Sequence, residues 1–205
     1  MIIASLKTAL LLLGLTSISM ACSVTDSSGN DITDSIVSAD GTTALCDDRR
    51  ECYRATIDGC DEVQCTGGRG IGNGDSSCEE ATITNAITVI CHEDQACQGA
   101  YITARDGAEN TVLECLDDEA CRFVDAIGFQ SIVCDTQNAN HQDVCEYLEV
   151  DGGTITCTEQ ETSLGIYTCN NIRGTPDCIV CEGEGSCDNN AEEYGCPSEE
   201  EEEQE

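Results

Sequence analysis

Carboxylates are the side chains of this sequence with the density and spacing to do chemistry. Asp47 and Asp48, Glu93 and Asp94, Asp117, Asp118 and Glu119, and Glu182 with Glu184 all fall inside short loops closed by cysteines: CDDRREC, CHEDQAC, CLDDEAC and CEGEGSC. Oxygen ligands at that density suit a hard cation, and calcium in particular, whose flexible coordination accepts ligands not placed for it. None of these loops has the spaced Asp-x-Asp-x-Asp-Gly pattern of a dedicated site. The binding expected of Asp47, Asp48, Glu93, Asp94, Asp117, Asp118 and Glu119 is therefore weak, and the same residues also serve as a solvated ridge that resists edge pairing.

Other reactive side chains are sparse. His92 and His141 fall in different loops and read as surface residues. With 41 acidic residues, some pair will lie at a glycosidase separation by chance, so carboxylate pairs carry no specificity. Arg105, Arg122 and Arg173 occupy different positions relative to their nearest cysteines and need not converge on a substrate. The stretch GGRGIGNGD, Gly67 to Asp75, lacks the Lys-Ser/Thr of a phosphate loop, and there is no Gly-x-Ser-x-Gly or His-Glu-x-x-His. The sequence reads as non-enzymatic, with calcium the one cofactor its chemistry accommodates. A short β-helix hydrolase is the third reading.

The elements that position these loops follow from the cysteines. Cys97, Cys121, Cys145 and Cys169 recur every 24 residues, with Cys91, Cys115, Cys134, Cys157 and Cys181 between them. Equal intervals of this length mark a stacked repeat. Each unit opens as Cys-x-x-apolar-x-apolar, from Cys52-Tyr-Arg-Ala55-Thr-Ile57 to Cys145-Glu-Tyr-Leu148-Glu-Val150, and closes as apolar-x-Cys, for example Val89 to Cys91. Alternation over four to six positions with β-branched residues predicts half-buried strands. Gly107, Gly128, Gly152 and Gly153 sit where the chain turns between them. The expected fold is all-β: a parallel β-helix of about six rungs with repeats of about 24 residues, right-handed by the usual hand of strand crossovers. Ala55, Ala81, Ala100, Val124 and Leu148 are expected to share one interior column.

Eighteen cysteines in 205 residues mean a disulfide scaffold from an oxidising compartment. Pairing across each loop predicts Cys46–Cys52, Cys65–Cys78, Cys91–Cys97, Cys115–Cys121, Cys134–Cys145, Cys157–Cys169 and Cys181–Cys187. It leaves Cys22, Cys60, Cys178 and Cys196 for the ends, with no pairing assigned. The competing scheme joins neighbouring rungs, as Cys97 to Cys121; rung spacing permits it. No cysteine is read as a zinc ligand, because the compartment argues against it.

Residues 1–21 read as a secretory signal peptide, with an apolar stretch from Ala9 to Leu15 and cleavage before Cys22. Residues 22–45 read as a polar cap or lead-in, 46–188 as the repeat domain, and 189–205 as an acidic disordered tail. The net charge of −33 excludes nucleic acid and anionic membrane as partners. What fits is a secreted or cell-surface protein meeting extracellular matrix, a glycan or a basic protein surface, with no membrane span in the mature chain.

The Cys-x-x-Ala fragments at Cys52 to Ala55, Cys78 to Ala81 and Cys97 to Ala100 resemble the cysteine-rich β-solenoid antifreeze proteins of beetles. Those proteins stack Thr-Cys-Thr strands into a flat ice-binding face. Here Thr-Cys-Thr occurs at Thr156-Cys157-Thr158 alone, and the period is 24 residues, about twice theirs. That resemblance implies an ice- or polysaccharide-binding solenoid as the alternative function. Residues 46–187 are also similar to the cysteine-laddered repeats of secreted and surface β-helix proteins from algae and other protists, which implies the fold and no defined activity.

Overall fold

The computed structural model describes residues 21–48, 50–66, 76–136, 143–158, 168–183, 186–187 and 196. Residues 1–20 of the expected leader, the glycine-rich stretch 67–75, His141, Glu184 and the tail other than Cys196 lie outside the described residues.

Short strands alternate with turns throughout. The chain begins with β1 (Ser23–Thr25), the one-turn helix α1 (Thr33–Ile36) and β2 (Thr43–Cys46). Next come β3 (Thr56–Asp58), β4 (Glu62–Thr66), β5 (Thr82–Ala86), β6 (Thr88–His92), β7 (Tyr101–Ala104) and β8 (Val112–Leu116). The remaining strands are β9 (Asp125–Ile127), β10 (Ser131–Asp135), β11 (Cys145–Glu146), β12 (Glu149–Asp151), β13 (Thr154–Thr158), β14 (Cys169–Asn170), β15 (Arg173–Thr175) and β16 (Cys178–Glu182).

These strands build a parallel β-helix. Sheet one runs β1-β3-β5-β7-β9-β12-β15 and sheet two β2-β4-β6-β8-β10-β13-β16. Successive pairs from β3/β4 to β15/β16 give one strand to each sheet, so the chain winds once per pair. Register is strict in sheet two: Cys46, Cys65, Cys91, Cys115, Cys134, Cys157 and Cys181 lie one above another. The third side of each turn is the Cys-x-x-apolar arch. It closes on itself (Ala100 N to Cys97 O, 3.0 Å) and bonds to the next arch (Cys97 N to Ala120 O and Gly99 N to Arg122 O, both 2.9 Å). On all three sides, the described backbone thus bonds to the neighbouring rungs.

The core is a set of stacked columns. Ile57, Ile83, Ile102, Ala126 and Val150 point inward from sheet one, and Val63, Val89, Leu113, Ile132 and Ile155 from sheet two. Ala55, Ala81, Ala100, Val124 and Leu148 are buried at the arch; each precedes a strand of sheet one whose residues pair in register from rung to rung. The disulfides fill the remaining corner. Cys46–Cys52, Cys65–Cys78, Cys91–Cys97, Cys115–Cys121, Cys134–Cys145, Cys157–Cys169 and Cys181–Cys187 each span a loop, with Cα separations of 5.6–6.1 Å. Cys97 and Cys121, neighbours in the stack, are each bonded across their own loops.

At the first rung, β1 lies antiparallel on β3, and Val37 bridges Ala44 antiparallel on the edge of sheet two. The first turn of the repeat thus meets an antiparallel cap segment on each sheet. Cys22–Cys60 fastens this cap, and Cys178–Cys196 links the last rung to a residue 18 positions on.

Two predictions follow from this geometry. Chain entropy makes the long closure more valuable, so replacing Cys22 and Cys60 with Ala should cost about 4 kcal/mol and replacing Cys91 and Cys97 about 2 kcal/mol. Chemical denaturation of the two variants should rank them in that order. Gly152 and Gly153 both have positive φ (79° and 83°), but a Cβ at Gly152 meets open space, whereas one at Gly153 collides with the Phe129 carbonyl. Gly152→Ala should cost about 1–2 kcal/mol from backbone strain alone. Gly153→Ala should cost about 1–3 kcal/mol more, because backbone must move to admit the methyl. Equal losses would mean that the two rungs do not touch there.

Candidate functional site

The acidic loops occupy one corner, between sheet two and the arch, but not as one continuous row. Glu93 and Asp94 lie on the rung beside Asp117 and Asp118, as the bond from Glu93 N to Leu116 O shows. Asp47 and Asp48 follow Cys46, which is two rungs from Cys91; the rung between carries the longer Cys65–Cys78 loop. The first group is knitted together by side chains. His92 Nε2 is 3.1 Å from Asp117 Oδ2, and Gln95 Nε2 donates to Glu119 Oε2 at 2.7 Å. Arg122 donates from Nη1 to Glu119 Oε1 at 2.9 Å, and its Nε lies 2.6 Å from Glu146 Oε2.

The second group is the one set of described carboxylates that could hold a cation. Oxygens of Asp47, Asp48 and Glu51 lie within 4.8 Å of one another. One Glu51 oxygen already accepts the backbone N–H groups of Asp47 and Asp48, at 3.1 and 3.2 Å. The cysteine clusters of similar closeness, Cys46 with Cys52 and Cys78, and Cys115 with Cys134 and Cys145, are all in disulfides and offer no thiolate.

Burial raises the pKa of three carboxyls near this corner. For Asp135 the charge of Asp117 adds to burial. For Asp143 a hydrogen bond from Asn170 opposes it and Glu119 reinforces it. For Glu146 the charge of Arg122 opposes it and Asp143 reinforces it. In the other direction, hydrogen bonds from Thr84 and Asn85 lower the pKa of Asp58 on sheet one.

The arch carries a second ladder. The third residue of each Cys-x-x-apolar unit has positive φ: Arg54, Glu80, Gly99, Phe123, Tyr147 and Asn171. Two adjacent pairs of these residues meet from rung to rung. Arg54 pairs with Glu80 at 2.6 Å. Phe123 lies flat on Tyr147, ring centroids 5.0 Å apart and planes within 1°, and the Arg173 guanidinium sits 5.0 Å over Tyr147. Phe123 is 47% exposed despite this packing.

Two hollows among the described residues lie on and beside sheet one, away from the acidic corner. Its outward side chains form two columns in register. One runs Tyr101, Asp125, Glu149, Arg173, and the other Thr103, Ile127, Asp151, Thr175. A depression of about 440 Å³ lies between them, lined by Tyr101, Asp125, Ile127, Glu149, Asp151 and Thr175, with Val150 and Gly174 beneath. A second of about 440 Å³ meets it at Ile127 and is lined by Asn85, Thr103, Arg105, Asp106 and Gln130 among others. Arg105 is a clamp for this end: it donates to Asp61 Oδ1 (2.6 Å), Gly59 O (2.9 Å) and Asn85 O (3.1 Å), tying together two earlier turns. Asn85 has positive φ where the register of β5 slips against β7, which shapes the rim.

Sequence reasoning singled out the acidic corner and missed this groove. The available signal was the outward position of each sheet-one strand, where Tyr101, Asp125, Glu149 and Arg173 each stand four residues after an opening cysteine. Those columns also bear on ice binding: the outward columns of sheet one mix Thr with Tyr, Asp, Glu, Ile and Arg, and are not uniform threonine ladders.

Among the described residues no helix is long and apolar enough to cross a membrane. Comparison with protein-family models, with curated proteins and with solved structures finds no match for this chain.

The raised carboxyls make a pH-dependent prediction. A carboxyl whose folded pKa exceeds its unfolded value binds its proton more tightly when folded, so stability falls as pH rises through that interval. Asp135→Asn removes the ionised, half-buried charge beside Asp117. The variant should melt above the native protein at pH 7, and the gain should vanish below about pH 4, where the unfolded Asp is also protonated. Asp48→Asn makes the same charge change at an exposed site and serves as control. A gain that persists at low pH would assign the effect to packing instead.

Proposed function

We propose that this is a secreted, non-enzymatic protein of the extracellular surface or matrix that uses a rigid β-helix face for recognition. The observation that carries the reading is the groove on sheet one: two hollows that adjoin at Ile127, the larger part of their walls built from in-register outward side chains, on a scaffold whose rungs are closed by disulfides. Such a surface is organised before its partner arrives, which reduces the ordering cost of binding. Nine disulfides and no free cysteine fit an oxidising compartment and the leader read in residues 1–21. The net charge of −33 directs the protein away from polyanions and towards glycans or basic protein surfaces.

One feature supports binding over catalysis. The arginine at the groove's end, Arg105, is engaged by Asp61 and two carbonyls. Weak calcium binding at the acidic loops is an accompaniment to this role, with Asp47, Asp48 and Glu51 the best-placed oxygens.

Expression with its own leader in a secreting host should deliver the protein to the medium with all thiols blocked. Labelled protein should be retained on the producer's extracellular material, and incubation with polysaccharides should release no new reducing ends or unsaturated products. Retention inside the cell with free thiols would overturn the secreted reading; released product would make the protein an enzyme.

A further inference from the structure

We propose that the groove of sheet one binds a neutral glycan, an uncharged chain of pyranose rings lying along the solenoid axis, an assignment that rests on the recognition reading above. Its two walls repeat in register, so an extended ligand meets a new side chain of each column at every rung, about 4.8 Å apart. A chain of pyranose rings repeats at nearly the same interval. Tyr101, 42% exposed at one end, offers a ring face for the apolar side of a sugar. Asp125 and Glu149 follow on the same wall, and Asp151, which accepts from Thr175 Oγ1 at 3.0 Å, stands on the other. Carboxylates and hydroxyls of this kind accept and donate to sugar hydroxyls. Beyond Ile127 the second hollow continues with Asn85, Thr103 and Gln130, whose amides and hydroxyl suit a polyol, beside the charged Arg105 and Asp106.

Charge selects within this chemistry. The groove's carboxylates and the net charge of −33 repel an anionic chain. A polycation would be held anywhere on so acidic a surface and would not single out the groove. A ring face beside a few fixed hydrogen-bonding groups is the arrangement that orients an uncharged ligand.

The test is calorimetric titration of the mature protein, at physiological salt, with neutral β-linked glucan, xylan and mannan hexamers, a polygalacturonate hexamer and a glucosamine hexamer. At least one neutral hexamer should bind and the polygalacturonate should not. Tyr101→Ala should weaken the neutral complex about tenfold or more, and the Asp125→Asn, Glu149→Gln double variant similarly. Glu114→Gln, outward on sheet two, should leave it unchanged. Circular dichroism and thiol blocking confirm that each variant folds. Binding unaltered by Tyr101→Ala would overturn the groove assignment. So would binding of the glucosamine hexamer alone, lost on adding salt. If no hexamer binds yet labelled protein is still retained on extracellular material, the glycan assignment fails while the recognition reading stands; loss of retention as well would sink both.

Discussion

Everything in this molecule depends on stacking like on like at one strand spacing. A rung of two short strands and an arch encloses space for a few medium side chains, so no rung has a core of its own. Only when Ile57, Ile83 and Ile102, or Val63, Val89 and Leu113, lie one above another does a continuous apolar interior exist. The corner where a loop leaves the stack is the weak point, because loop length varies from rung to rung. The cysteines remove that variation. Sequence separations of 6, 11, 12 and 13 are all brought to Cα distances within 5.6–6.1 Å, so a loop of any length returns the chain to the same place.

The same constraint governs the surface. Strict register stacks outward residues as faithfully as inward ones, and a column of one charge would repel itself at every step. The chain interrupts such columns with partners. Arg54 faces Glu80, Glu149 is in register with Arg173, Asp58 accepts from Thr84, and Asp151 accepts from Thr175. The loops are less restrained by register, and there the excess acid collects, held by His92, Gln95 and Arg122. Asp125 and Glu149 are the exception, two carboxylates in register on adjacent rungs of sheet one.

What was legible in the sequence is what repeats with the rung. The 24-residue cysteine interval, the apolar residue three places after each opening cysteine and the apolar-x-Cys ending describe inward positions, whose types are dictated by burial. Outward positions obey no such rule, and the groove is made of them. Its walls draw single residues from rungs near Tyr101, Asp125, Glu149 and Thr175, none of which forms a motif with its chain neighbours. Arg105 reaches Gly59 and Asp61, 46 and 44 residues earlier, across a bulge at Asn85 that no composition signal announces. The acidic loops illustrate the converse. Their shared Cys-x5-Cys frame groups Asp47 with Glu93 on paper, while in space an intervening rung with a longer loop separates them.

Separating the source of stability from the outer face is what lets so thin a fold carry outward side chains of many kinds. Because disulfides and inward columns hold each rung, the outward side chains of sheet one carry little of the folding free energy. They are free to differ, and they do so unevenly. The first wall column begins with Thr56 and Thr82, small and uniform, and then changes to Tyr101, Asp125, Glu149 and Arg173. From Tyr101 on, the sheet presents an aromatic ring and three carboxylates, Asp125, Glu149 and Asp151, over a hollow floored by Gly174, at fixed intervals and with no loop between them to reorganise.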